Sequence, residues 1–190
     1  MINDDSAPTS VSEGRTITSN TSLVEALEIR TEAIVLHSSF YHKTLKSGKH
    51  TRAAADDLMV NAVSKYKECL EVLDQLQAQV STNLGLGGRV SNERLFTQAL
   101  LALVSFENNR KDEARQELVS ILNRIHWVRN SELRAKVLII LMRVSNPITR
   151  MRYYKQALKL TTHQDAARLR PQVKAARRGN RYYRAKFGWL

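Results

Sequence analysis

The sequence predicts an all-α fold, and three observations lead to that prediction. Glycine (7) and proline (3) are scarce among the 190 residues, while the abundant Ala, Leu, Glu, Lys, Arg and Gln lose little side-chain freedom in a helix. Apolar residues recur at helical spacing over 22–161. With 43% apolar residues, the chain is long enough to enclose one hydrophobic core.

The N-terminal region is predicted to contain a disordered leader followed by two long helices. Residues 1–21 are rich in Ser, Thr, Asn and Asp and lack apolar periodicity, which is typical of a disordered segment. The first helix is expected to begin at Ser22, because Ser22 and Glu25 have the spacing of a capping box. A second helix is expected over 52–80, followed by a loop over 81–88 that contains three of the seven glycines.

Four shorter helices are then expected at 91–107, 111–126, 131–145 and 147–161. Asn146-Pro147 is predicted to end one helix and start the next, because asparagine is a favoured N-cap and proline fits the first helical position. A final helix is expected between Asp165 and Arg184, and Pro171 limits where that helix can begin.

The four shorter helices form two neighbouring pairs with similar lengths and short turns. Paired antiparallel helices of this size bury their apolar faces by stacking on one another, so a short α-solenoid is expected over 22–161. A generic helical bundle is the alternative arrangement. Residues 162–190 are expected to form a basic C-terminal helix and tail.

The first of these pairs resembles a tetratricopeptide repeat. In that family a small residue on the first helix packs against an alanine that opens the second helix, and Ala102 and Ala114 match these two positions. Leu118 and Ile121 match the apolar positions that follow, so the resemblance implies a stack of helix pairs. The chain departs from the family pattern at four positions. The two aromatic positions are occupied by Gln98 and Ser105, and the closing proline is replaced by His126. In the next pair Arg150 stands where a small residue is expected.

The positive charge of the chain is concentrated at its C-terminal end. From Arg143 to Leu190 there are 13 Lys and Arg residues and one acid, Asp165, which leaves a net charge of +12. The first 142 residues hold 17 basic and 17 acidic residues and sum to zero. A neutral body with one strongly cationic end indicates an anionic partner, of which nucleic acid is the commonest.

The basic residues of this end follow helical spacing. Those from Arg170 to Arg184 recur at intervals of four, three, four and three residues, which places them on one helix face. A second basic group precedes them on the helix expected over 147–161. The candidate nucleic-acid-binding residues are Arg150, Arg152, Lys155, Lys159, Arg170, Lys174, Arg177, Arg178, Arg181, Arg184 and Lys186.

Aromatic residues are interleaved with the last basic residues and are candidates for stacking on unpaired bases or for contact with a partner subunit. They are Tyr182, Tyr183, Phe187 and Trp189. Two other interpretations of the basic end are a solvated helix face and a nuclear-import patch over 174–178. A membrane-surface role is disfavoured, because the apolar face of the basic helix is thin.

The sequence shows no pattern of an enzyme or of a metal or cofactor site. The five histidines lack metal-ligand spacing and are expected at polar surface or turn positions. Cys69 falls on the apolar stripe of the second helix, where a small core residue is expected. The longest apolar run, 137–142, is too short to span a membrane.

These observations favour a non-enzymatic scaffold subunit of a nuclear complex that binds other protein subunits through its helical body and DNA or RNA through its basic end. At the level of architecture the chain resembles the helical-repeat subunit of the RNA polymerase I core initiation factor. That resemblance implies transcription of ribosomal RNA genes in the nucleolus. The alternative is a protein–protein adaptor in ribosome assembly or RNA processing, whose basic end binds RNA or an acidic protein segment.

Overall fold

The computed structural model describes residues 11–46, 52–80, 84–126 and 130–178. Within them the chain is helical and contains no β-strand, which confirms the all-α prediction. The helices are α1 (Val11–Lys46), α2 (Arg52–Gln79), α3 (Leu84–Glu107), α4 (Lys111–His126), α5 (Ser131–Val144), α6 (Pro147–Leu160) and α7 (Arg170–Arg177), with a 3₁₀ turn at Ala167–Leu169. No described helix combines the length and the apolar composition that a bilayer crossing requires.

The first helix starts earlier than expected. It begins at Val11 and runs through Ser22, so the predicted start at Ser22 is wrong. Ser, Thr and Asn lower helix propensity by only about 0.5 kcal/mol each relative to alanine, and an established helix extends one residue at a time at little cost. No proline lies between Pro8 and Pro147, so no backbone restriction ends α1 at Ser22. Residues 1–10 of the expected leader lie outside the described residues.

The third helix also starts earlier, because α3 begins at Leu84 and includes the glycines that were expected in a loop. Gly87 lies where α3 approaches the end of α2. A Cβ atom added there would be 3.2 Å from the carbonyl oxygen of Val80, which is closer than ordinary packing allows. Glycine therefore permits the tight approach of the two helices at this corner.

The remaining boundaries up to the end of α6 agree with prediction to within one residue, and α7 lies inside the range expected for the final helix. Asn109 adopts a left-handed conformation with φ of 71° in the turn between α3 and α4. The side-chain oxygen of Asn146 accepts a hydrogen bond of 2.9 Å from the backbone N–H of Thr149, and Pro147 occupies the first turn. The predicted stop and restart at Asn146-Pro147 is therefore confirmed.

The centre of the main hydrophobic core is α5. All residues of its run 137–144 are buried, Arg143 among them. A helix that is apolar around its whole circumference has to be enclosed by other elements. Accordingly α5 contacts α3, α4, α6 and α7.

Contacts between helices follow a regular order along the chain. Each helix contacts the next one, and α1–α3, α3–α5 and α5–α7 are also in contact. The four residues that resemble the tetratricopeptide pattern, Ala102, Ala114, Leu118 and Ile121, are all buried in the core. Met151 of α6 is 38% exposed.

Candidate nucleic-acid interface

A row of cationic side chains occupies the solvent side of α6. Arg152, Lys155 and Lys159 are exposed and follow at intervals of three and four residues, so they lie on one face. Ala157, on the opposite side of the helix, is fully buried. The helix Pro147–Leu160 contains no acidic residue.

A second row occupies the solvent side of α7. Arg170, Lys174 and Arg177 are exposed at intervals of four and three residues. Val173 and Ala176 are buried and attach α7 to the core. The structure therefore places the described members of the predicted basic helix face on one side of α7. We call the six residues of both rows, Arg152, Lys155, Lys159, Arg170, Lys174 and Arg177, the basic face.

Tyr154 of α6 contacts a residue of the α7 row. The helices α6 and α7 are in contact, and the guanidinium carbon of Arg177 lies 5.2 Å from the centre of the Tyr154 ring. This distance is typical of a cation–π interaction. Tyr154 is partly buried and packs against the core, and nothing in the local sequence indicates its contact with a residue on another helix.

The basic face is not neutralised by acidic side chains of the described part of the chain. None of its six residues takes part in a salt bridge there. The carboxylate of Glu132 instead accepts hydrogen bonds from Arg168 and Lys136. Asp165, the one acid of the C-terminal segment, accepts a 3.3 Å hydrogen bond from the backbone N–H of Glu132.

The Glu132 cluster attaches the segment before α7 to the start of α5. Partial burial raises the pKa of the Glu132 carboxyl, but hydrogen bonds from Lys136 and Arg168 outweigh that effect and hold the pKa below its ordinary value. The same carboxylate raises the pKa of Arg168. Arg168 is therefore occupied within the protein and does not belong to the basic face.

Arg150, one of the predicted interface residues, makes hydrogen bonds within the protein. Its guanidinium donates hydrogen bonds of 3.0 Å to the carbonyl oxygens of Met142 and Ser145 at the end of α5. A cation is favourable at this position, because the carbonyl end of a helix carries partial negative charge. Arg115 makes a similar bond of 2.9 Å to the carbonyl of Val144. Arg150 thus stabilises the α5–α6 corner.

Arg143, the first cation of the basic C-terminal segment, lies inside the protein and does not belong to the basic face. The residue is only 6% exposed, and its guanidinium lies 3.8 Å from a carboxylate oxygen of Glu107. Its position inside the apolar run of α5 is the sequence signal that predicts burial.

The other predicted interface residues lie at or beyond the end of α7. Arg178 is exposed and caps the helix. The remaining predicted residues, Arg181, Arg184, Lys186, Tyr182, Tyr183, Phe187 and Trp189, lie outside the described residues.

A buried polar cluster was missed by the sequence analysis. His37 is 0% exposed rather than at the surface, and its Nε2 lies 2.7 Å from a carboxylate oxygen of Glu107. Its Nδ1 lies 3.5 Å from the hydroxyl of Tyr66. The signal was present: His37 continues the buried positions Ala26 and Ala33 at helical spacing.

Cys69, the single cysteine of the chain, is buried in the core. Burial raises the pKa of the Cys69 thiol, which lowers its reactivity, and that thiol donates to the carbonyl of Ala26 at 3.1 Å. Among these residues no group of three or more His, Cys, Asp and Glu side chains converges as a metal site would require.

Comparison with known protein families, with curated proteins and with solved structures gave no match to this chain. Its function is therefore inferred from the placement of its own residues.

Proposed function

We propose that this protein is a non-enzymatic scaffold subunit that binds the phosphates of a nucleic acid through the basic face. One observation carries the proposal: six exposed cationic side chains lie on two adjoining helices, and none forms a salt bridge within the described part of the chain. Guanidinium and ammonium groups in this arrangement bind phosphate oxygens by charge-assisted hydrogen bonds.

The arrangement is costly to the protein alone. Two like charges three or four residues apart on one helix face destabilise the helix by about 0.2–0.5 kcal/mol. A phosphate backbone removes this repulsion and releases its own condensed counterions when it binds, which adds a favourable term. A polyanionic ligand therefore accounts for a charge pattern that internal stability does not.

The helical body supports a scaffold role. Each helix contacts the next one, α3 contacts α5, and α5 contacts α7. A stack of helix pairs produces this order of contacts. Such stacks bind partner proteins along their length. We therefore propose a tetratricopeptide-like stack within a nuclear complex, with RNA polymerase I initiation as the leading candidate assembly. A ribosome-assembly or RNA-processing complex is the alternative.

The proposal is tested by fluorescence anisotropy with short labelled DNA and RNA, using the full chain. With six phosphate contacts, affinity for duplex DNA should fall by about 10³-fold between about 50 mM and about 200 mM salt. Charge reversal of the α7 row (Arg170→Glu, Lys174→Glu, Arg177→Glu) should weaken binding by more than about 100-fold while the helical circular dichroism stays unchanged.

A matched control reverses three exposed cations elsewhere on the body, Lys67, Arg89 and Lys111, and should leave affinity within a few-fold of the parent. If the protein ignores both DNA and RNA at low salt, the proposal is wrong. Polyglutamate and unlabelled DNA are then compared as competitors at the same charge concentration. If polyglutamate competes as well as DNA, the ligand is an acidic protein segment.

A further inference from the structure

A row of acidic side chains lies on the solvent side of α1. Glu25, Glu28 and Glu32 are exposed and follow at intervals of three and four residues, so they share one helix face. Ala26 and Ala33 are buried on the side of α1 that packs against the core. We call the three glutamates the acidic row.

The acidic row keeps most of its charge within the described part of the chain. Glu25 and Glu28 form no salt bridge there. A carboxylate oxygen of Glu32 lies 3.3 Å from Nζ of Lys65, but the same ammonium group lies 3.0 Å from a carboxylate oxygen of Glu68. One cation is therefore shared by two carboxylates, and the row remains negatively charged.

The α6 row of the basic face has the same spacing as the acidic row. Its residues, Arg152, Lys155 and Lys159, also follow at intervals of three and four. Seven residue steps separate the first and last charge of each row, so each row is about 10 Å long. The two rows do not pair within one molecule, because α1 packs on α2 and α3 whereas α6 packs on α5 and α7.

An exposed apolar side chain lies beyond one end of each row. Val35, 58% exposed, comes seven residues after Glu28, and Ile148, 77% exposed, comes seven residues before Lys155. Seven residues are about two helical turns, so each apolar side chain lies on the face of its row. If the two helices packed antiparallel with Glu28 beside Lys155, Val35 would meet Ile148. In a parallel arrangement these two residues would lie about 21 Å apart along the helices.

We infer that a second copy of this chain docks on the first, with the acidic row of one copy antiparallel to the α6 row of the other. The contact brings three carboxylates to three cations and covers two exposed apolar side chains. A contact between single helices is smaller than a standard interface, so the association is weak and depends on concentration. The inference goes beyond the proposed function and does not depend on it, because the contact involves no nucleic acid.

The inference is tested by sedimentation velocity of the full chain after nuclease treatment. The parent should exceed the monomer mass at about 50 mM salt and return to it at about 500 mM, because salt screens exposed ion pairs. Two variants should each self-associate about 10-fold more weakly than the parent at the lower salt concentration. They are the acidic-row variant (Glu25→Gln, Glu28→Gln, Glu32→Gln) and the α6-row variant (Arg152→Gln, Lys155→Gln, Lys159→Gln).

An equimolar mixture of the two variants decides the question. The acidic-row variant still presents the α6 row, and the α6-row variant still presents the acidic row. The mixture should therefore form a heterodimer that contains one copy of each and grows no further. A mixture that stays monomeric, or variants that self-associate as well as the parent, would overturn the inference. If the mixture stays monomeric while polyglutamate binds the α6 row, the occupant of that row is an acidic segment of another protein.

Two control variants lose the same number of charges at exposed positions outside the rows. Both should self-associate within about 2-fold of the parent, and an equal loss in a control would mean that net charge and not the rows governs association. They are an acidic control (Asp57→Asn, Glu71→Gln, Glu113→Gln) and a basic control (Lys67→Gln, Arg89→Gln, Lys111→Gln). If circular dichroism shows that a row variant fails to fold, Glu25→Gln/Glu28→Gln and Lys155→Gln/Lys159→Gln replace the triples.

Disulfide cross-linking tests the direction of the contact. Val35→Cys is added to the α6-row variant and Ile148→Cys to the acidic-row variant, and the mixture is oxidised with oxidised glutathione. The native Cys69 is buried and does not compete. A covalent heterodimer is expected, because a disulfide requires Cα atoms within about 7 Å of each other. Val24→Cys in place of Val35→Cys should not cross-link, and cross-linking by Val24→Cys alone would show a parallel contact and overturn the proposed pairing.

Discussion

The body of this protein and its basic face differ in how often their cationic side chains are paired. In α1–α5 many of them face carboxylates: Arg30 pairs with Glu93, Lys65 with Glu32 and Glu68, Arg94 with Asp74, Arg115 with Asp112, Lys136 with Glu132 and Arg143 with Glu107. Other exposed cations of these helices, such as Lys67, Arg89 and Lys111, form no such pair within the described residues. On α6 and α7 the six residues of the basic face form no such pair within the described residues. The paired charges of the body contribute to the fold, whereas the charges of the basic face are the ones for which we propose a ligand.

The difference is also visible within the single helix α6. Arg150 and Arg152 are two residues apart, yet Arg150 binds carbonyl oxygens at the end of α5, whereas Arg152 is exposed. Two residues that are two positions apart on a helix lie on opposite sides of it. The position on the helix therefore decides whether an arginine stabilises the corner or joins the basic face.

The largest expected loss of stability is at the buried pair of Arg143 and Glu107 in the body. Glu107→Gln removes the negative charge that faces the Arg143 guanidinium, 3% exposed, and weakens the 2.7 Å contact with His37. Removal of one partner of a buried pair costs about 3–5 kcal/mol. Urea denaturation monitored by circular dichroism measures this loss. The exposed acid Glu113 provides the control, because Glu113→Gln should change stability by less than about 0.5 kcal/mol. Equal effects of the two substitutions would remove the distinction between paired and surface charge.

The next largest loss of stability is expected at the start of α6, the helix that carries one row of the basic face. Asn146→Ala removes the side-chain acceptor for the N–H of Thr149 and should lower stability by about 1 kcal/mol. Asn146→Asp keeps an acceptor and should restore stability. Because the cap lies outside the basic face, the slope of DNA affinity against salt should not change, and a changed slope would show that the corner itself contacts the ligand.

A smaller and pH-dependent effect is expected at Glu132. Its pKa lies below the ordinary carboxyl value in the folded protein, so its contribution to stability is present above that ordinary value, about 4.3, and is lost as the pH falls through the folded value. Glu132→Gln should therefore destabilise the protein at pH 7 by less than about 1 kcal/mol. The difference should shrink as the pH falls below about 4.3 in chemical denaturation. A difference that is constant with pH would contradict the proposed ion pairing.

The smallest effect is expected on the basic face itself. Neutralising Lys155 and Lys174 removes like-charge repulsion and no described salt bridge, so stability should stay within about 0.5 kcal/mol of the parent or rise slightly at low salt. Thermal denaturation at two salt concentrations measures this change. A loss of more than about 1 kcal/mol would mean that these lysines serve the fold, and the contrast between body and face would fail.

The sequence predicted the fold well where local signals act alone. Asn146-Pro147 marks a boundary because each residue has a fixed preference for its capping position. The start of α3 was missed, because glycines predict a loop locally and the close approach of Gly87 to Val80 is a tertiary contact. The start of α1 was missed because weak helix formers continue a helix that packing has already stabilised further along.

The interface was predictable in its spacing and not in its contacts. Intervals of four and three residues identified Arg170, Lys174 and Arg177 as one face, since that rule needs only helix geometry. The pairing of Arg143 with Glu107 joins residues on different helices, and no local pattern shows it. His37 was assigned to the surface for the same reason, because its partner Glu107 lies 70 positions away in the chain.

The enclosure of α5 on every side has a consequence for any attempt to divide this molecule. A fragment that stops after α5 leaves apolar side chains facing water where α6 and α7 had covered them, and a fragment that starts at α6 lacks the surface on which its two helices rest. A synthetic peptide with the sequence of α6 and α7 would carry the same charges without a fixed spacing between them. The binding surface thus belongs to the intact chain, and limited proteolysis between α5 and α6 should abolish it together with the fold.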